Sequence, residues 1–142
     1  MPTIQDLLKP EYEGRIFVLS GPSGSGKTEI VKRATRAEPS IVRVVTATSR
    51  PPSPTEKHGV DYLFLSKEEF ENWIAQGQFL EYVEYCGHYY GTPIVSILNP
   101  LKDGKKVILV IDVEGALKVK QAIPNVRLVF VKAPSIDELR RR

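Results

Sequence analysis

Ile16-Phe17-Val18-Leu19-Ser20-Gly21-Pro22-Ser23-Gly24-Ser25-Gly26-Lys27-Thr28 is the stretch that decides the fold. Its first four residues form an apolar run of strand length, and a helix-compatible stretch follows the last residue through Ala37. Between them, Gly21, Pro22, Ser23, Gly24, Ser25, Gly26, Lys27 and Thr28 satisfy GxxxxGK[ST] in full. The glycines let backbone amides turn inward around phosphates, and the N-terminus of the following helix adds its dipole. Lys27 can reach the β and γ phosphates, and the Thr28 hydroxyl can hold magnesium. Strand, loop and helix occur in the order a phosphate loop requires. An ATP- or GTP-binding site with Mg²⁺ is therefore expected, while the motif by itself leaves kinases, GTPases and motor ATPases open.

Outward from this loop, strand-like runs recur at Val42–Ala47, Tyr62–Leu65, Phe79–Val83, Val107–Ile111 and Arg127–Val131, separated by helix-like segments. That alternation predicts an α/β fold with a parallel sheet core flanked by helices. Ser66-Lys67-Glu68-Glu69 is a capping box, with Leu65 and Phe70 as its hydrophobic staple and Gly77 as the stop signal. On that helix Phe70 and Trp73 are spaced i, i+3 and read as core. Ser135-Ile136-Asp137-Glu138 repeats the capping pattern and opens a further helix of about two turns. Met1–Glu13 matches no motif and reads as a local arm or a disordered segment.

Composition narrows the class. The chain has 142 residues, 42% hydrophobic and 26% charged, which suits one globular domain. One cysteine, Cys86, and two histidines, His58 and His88, exclude an internal disulfide and a structural zinc site. The longest aliphatic run, Val107–Ile111, is far short of the ~20 residues that span a bilayer, and no export signal is visible at the start. A cytoplasmic protein is expected. The net charge of +3 equals the contribution of Arg140, Arg141 and Arg142 alone. Acids such as Glu68, Glu71 and Glu84 interrupt any continuous phosphate-tracking face, so no nucleic-acid partner is expected.

The middle of the chain carries the specific signal: Thr46-Ala47-Thr48-Ser49-Arg50-Pro51-Pro52, then Glu56, Gly59 and Asp61-Tyr62. Phe79-Leu80-Glu81, Gly87-His88-Tyr89-Tyr90-Gly91-Thr92 and the strand ending Ile111-Asp112-Val113-Glu114-Gly115 follow in order. In order and spacing these segments resemble the guanylate kinase family over about residues 14–142. The resemblance implies a P-loop NTPase-type core over about 14–48 and 93–142, with a small mixed-β acceptor-binding insertion over about 49–92. It also implies transfer of the ATP γ-phosphoryl group to GMP, and to dGMP, giving ADP and GDP. The GMP-binding residues it implies are Thr46, Arg50, Tyr62, Glu81, Tyr90, Thr92 and Asp112. Lys27, Arg50 and Arg142 are the implied catalytic cations, and Thr28 and Asp112 the implied magnesium ligands.

The chemistry of these residue types agrees with that assignment. Guanine presents N1–H and the N2 amine as neighbouring donors, which an acid such as Glu81, with Asp112 nearby, can accept. Adenine would leave the acid unpaired, and leaving a buried carboxylate unsatisfied is costly enough to reject it. Hydroxyls of Thr46 and Thr92 suit O6, and Arg50 with two phenols suits a phosphate.

Two departures from the family pattern stand out. Ser53 occupies the place of a second phosphate-binding arginine, and losing one charge-assisted contact of ~1.5–3 kcal/mol predicts tens-fold weaker acceptor binding unless Lys57 or His58 compensates. Only Arg142 aligns with the first arginine of the family's lid, so the expectation is a chain that binds nucleotides but turns over slowly. The competing reading is a guanylate-kinase-like scaffold domain that has exchanged catalysis for peptide binding. Ser53 and the short ending favour it; the intact loop from Gly21 to Thr28 opposes it.

Overall fold

The structure, a computed structural model, describes residues 1–22 and 24–132. The helix expected after Ser135, Ser23 of the phosphate loop and Arg142 lie outside the described residues. Strand β1 (Ile16–Ser20) leads into helix α2 (Lys27–Ala37) through the phosphate loop, as the apolar run and the glycines require. It is preceded by a short helix α1 (Ile4–Leu7). Strands β2 (Ile41–Arg43), β7 (Lys106–Val110) and β8 (Arg127–Phe130) join β1 in a parallel sheet of order β2-β7-β1-β8. Pairing of Leu19 with Val110 and of Ser20 with Phe130 brings the C-terminal ends of β7, β1 and β8 together. Ligands of open α/β sheets bind at that edge.

A second, mixed sheet has the order β4-β3-β6-β5, from β3 (Ala47–Thr48), β4 (Leu63–Phe64), β5 (Phe79–Tyr85) and β6 (His88–Pro93). The run Val42–Ala47, expected as one strand, is divided between the two sheets. Arg43 still pairs with Ile108 in the parallel sheet, whereas Ala47 pairs with Leu63 and Gly91 in the mixed one. The residues between them cross from one layer to the other, which an uninterrupted β-rich run does not reveal. The strands of the mixed sheet run from Ala47 to Pro93.

Helix α3 (Lys67–Ala75) starts at the expected cap: Ser66 Oγ accepts from Glu69 N–H at 3.0 Å, and Glu69 Oε1 accepts from Ser66 N–H at 2.9 Å. Its Phe70 is fully buried and stacks on Phe79 and Tyr89, with Trp73 beside Phe79. Helices α4 (Ile94–Lys102) and α5 (Val113–Ala122) pack Ile94, Ile97, Leu98, Ala116 and Val119 against Val18, Val107 and Leu109 in the main core. Each such buried aliphatic contributes about 1.5–3 kcal/mol.

The N-terminal arm belongs to this core and is not a loose segment. Leu7 and Tyr12 are buried in it, and Thr3 and Asp6 form a capping box at α1. Arg15 locks the arm down: its guanidinium donates to the carbonyls of Leu101 and Lys105, both at 2.7 Å, and lies over the Tyr12 ring.

The β5–β6 hairpin turns on Cys86 and Gly87, both at positive φ (51° and 81°). A two-residue hairpin of this kind favours Asn-Gly because its first position is left-handed. Cys86 therefore holds a conformation that costs an L-residue about 1–2 kcal/mol. Replacing Cys86 with Asn is expected to stabilise the protein by about 1 kcal/mol, seen as a higher denaturant midpoint with unchanged slope.

Candidate functional site

The phosphate loop emerges at the sheet edge with Gly24 and Gly26 at positive φ (80° and 95°), and Gly26 caps α2 in the left-handed region. At Gly21 a side chain is excluded by contact: a Cβ there would overlap the Val131 carbonyl oxygen. Lys27 folds back over the loop, and its Nζ donates to Gly21 O at 2.5 Å. Thr28, one residue into α2, is solvent-exposed, as are Pro22, Gly24 and Gly26. Ser25 differs: its hydroxyl is buried, as is that of Ser20, and neither has a partner among the described residues.

Asp112 follows β7, the strand paired with β1, and caps α5 by accepting from Gly115 N–H at 2.7 Å through Oδ1. It is exposed, and its other carboxylate oxygen has no protein donor among the described residues.

A cavity of about 600 Å³ lies between the two sheets. Five of the seven expected acceptor residues line it: Thr46, Tyr62, Glu81, Tyr90 and Asp112. Thr92 and Arg50 do not. The β5–β6 register is irregular between Phe79 and Glu81, so that Phe79 and Leu80 are both buried and Glu81 then stands opposite Thr92. Such irregularities re-aim side chains beside binding sites. Thr92 is fully buried and donates its hydroxyl to Glu81 Oε1 at 2.8 Å. The Thr92 hydroxyl, expected to suit a base oxygen, gives its one proton to Glu81 Oε1 in this structure.

Burial pushes the Glu81 carboxyl above the usual carboxylate range, the Thr92 hydroxyl opposes this, nearby Asp112 adds to it and Lys118 relieves it. A carboxylate short of donors but facing a cavity suits a ligand that supplies them.

Arg50 is already engaged. Its two terminal nitrogens donate to Glu56 Oε1 and Oε2 at 2.8 and 3.0 Å, and its guanidinium lies over the rings of Tyr62 and Phe64. Glu56 also accepts from Ser53 N–H at 2.9 Å, and these contacts, Arg50 foremost, hold its carboxyl down to about 2. Glu56 received no role from the sequence. Its signal was an acid six residues beyond the arginine, across a proline-rich turn. Of the two candidates to replace the charge missing at Ser53, His58 is tied to its own loop, with Nδ1 accepting from Phe64 N–H at 3.0 Å. Val83 and Tyr85, also not anticipated, line the cavity from the exposed end of β5.

A phosphate loop at the end of a parallel sheet, with an acid-floored cavity beside it, marks a P-loop protein. Comparison with known proteins narrows the class. The family model for guanylate kinase matches residues 13–142. The chain is 49% identical over 129 residues to a guanylate kinase of Rubrobacter xylanophilus, covering 91% of this chain and 68% of that one. It is 46% identical to a guanylate kinase of Thermosynechococcus vestitus over the same shares. The crystal structure of a guanylate kinase from Anaplasma phagocytophilum superposes with a TM-score of 0.68 at 35% identity, covering 96% of this chain and 68% of that chain. The chain belongs to the guanylate kinase family.

Thr92→Val removes the hydroxyl that serves Glu81 while keeping shape. Leaving that carboxylate without its donor is expected to cost about 1–3 kcal/mol at neutral pH, measured by chemical denaturation.

Proposed function

We propose that this chain is an ATP:GMP phosphotransferase, binding ATP at Gly21–Thr28 and GMP in the cavity floored by Glu81. The observation that carries the reading is Glu81: a largely buried carboxylate with one hydrogen-bonded oxygen, facing a cavity that also presents Thr46, Tyr62, Tyr90 and Asp112. Guanine supplies the two adjacent donors such a group lacks, and adenine does not. Family membership and the intact phosphate loop support catalysis over the scaffold reading.

The two nucleotides meet at the sheet edge. Lys27 exchanges its contact with the Gly21 carbonyl for phosphate oxygens of ATP, so the loop opens around the ligand it binds. Arg50, with its fork on Glu56, keeps a fixed orientation beside Tyr62, and the phenols of Tyr62 and Tyr90 hold the GMP phosphate. The acceptor oxygen is already ionised, so positioning and charge neutralisation suffice without a strong general base. Thr28 and Asp112 fit magnesium: both offer hard oxygen donors, both are exposed, and the strands that precede them, β1 and β7, pair side by side. Mg²⁺ is commonly held by one or two carboxylates together with substrate phosphates, and when bound it neutralises the charge of the transferring group. The protein acts in the cytoplasm on free nucleotides.

Calorimetric titration tests the acceptor site directly. GMP is expected to bind and AMP not, with ADP release on adding MgATP; equal affinity for the two, or none for either, would refute the reading. Glu81→Gln should abolish the preference. Because the Glu81 pKa is raised in the free protein and donors from guanine favour the ionised form, GMP affinity is expected to rise with pH above the ordinary carboxylate range near 4.5 and then level off. Binding below that plateau releases a proton, visible as a buffer-dependent heat. Ser53→Arg is expected to tighten GMP by tens-fold through one added charge-assisted contact of ~1.5–3 kcal/mol, with ATP affinity unchanged.

A further inference from the structure

We infer that Gly115 is a positioning residue for guanine recognition: the absence of its side chain keeps clear the space in which Glu81 and Asp112 face one base. The inference rests on the acceptor-site reading above and deepens it. Gly115 is the third residue of α5, and its φ is negative, so the backbone accommodates any residue. Glycine there lowers stability by about 0.5–1 kcal/mol relative to alanine on backbone grounds alone.

What excludes a side chain is the site. A Cβ on Gly115 would lie 2.9 Å from Asp112 Oδ1 and 3.4 Å from Glu81 Oε2, with Ile111 Cβ next at 3.6 Å. The first distance is too short for a real Cβ, so Asp112 would have to move. The second is ordinary contact with the oxygen left to accept from a ligand, so the group that must shift is the Asp112 carboxylate. Glu81 Oε1 is occupied by Thr92, which makes Oε2 the oxygen left to accept from a ligand. Gly115 also donates its N–H to Asp112 Oδ1 at 2.7 Å, so one residue pins one carboxylate and clears the other. The two nearest atoms are carboxylate oxygens and not backbone or core carbons, so an added methyl disturbs the base-reading pair before it disturbs the core.

Gly115→Ala is therefore expected to weaken GMP binding at least about tenfold in calorimetry, the loss of one charge-assisted hydrogen bond. Binding of a non-hydrolysable ATP analogue should be unchanged, and the thermal midpoint equal to or above that of the wild type. In a double-mutant cycle, the same substitution on an Asp112→Asn background should change GMP affinity less than about threefold, because the carboxylate it displaces no longer reads the base. Unchanged GMP affinity, an equal loss on both backgrounds, or a variant that loses its fold would overturn the inference, the last by assigning the clearance to packing. The wild type separates the two claims. If it fails to bind GMP, the acceptor-site reading falls and takes this inference with it; if it binds and Gly115→Ala binds equally, only the inference falls.

Discussion

Parallel pairing of β1 with β7 is the constraint on which the site depends. The register from Ile16 with Val107 to Leu19 with Val110 makes the two strands end side by side. The phosphate loop follows one strand and Asp112 the other, so the loop and the edge of the cavity are neighbours by backbone hydrogen bonding alone. The apolar side chains of both strands, Val18, Val107 and Leu109 among them, are sealed by α4 and α5. A one-residue slip of this register would exchange the two faces of a strand and misalign the two halves of the site.

Around that frame, the charged groups are secured by different means. Arg50 and Glu56 satisfy each other in a partly exposed pair, with aromatic rings beneath the guanidinium, so the cation has a defined place. Glu81 is handled in the opposite way: it is mostly buried, given one hydroxyl donor, and left one oxygen short. A partly exposed ion pair adds modestly to stability, and a buried carboxylate subtracts from it. Neither arrangement is explained by folding alone, and both are intelligible as preparation for a nucleotide with an anionic end and a donor-bearing base.

Much of this was legible in the linear sequence. The phosphate loop, the capped helix at Ser66 and the aromatic pair of Phe70 and Trp73 announce themselves by local pattern, whereas the acceptor residues stand out only through their resemblance to the guanylate kinase family. Thr92, Glu56 and the N-terminal arm do not. Thr92 has the right chemistry for a base contact, yet cross-strand pairing with Glu81 claims its proton. Leu7 and Tyr12 carry too short a pattern to predict a docked helix, and their burial depends on α4 and on Arg15 from outside the arm.

By itself the sequence determined what local geometry and spacing control: a strand, glycine-rich loop and helix for phosphates, an alternating α/β order, and a family of residues suited to a guanine nucleotide. Only the tertiary structure decided which oxygen of Glu81 is free, that Arg50 is braced by Glu56, that the run from Val42 to Ala47 is shared between two sheets, and that Gly115 stands between two carboxylates. Those features arise where segments distant in sequence meet, through register, bulge and crossover. No spacing within a single segment encodes them, because each is a distance between atoms that only folding brings together.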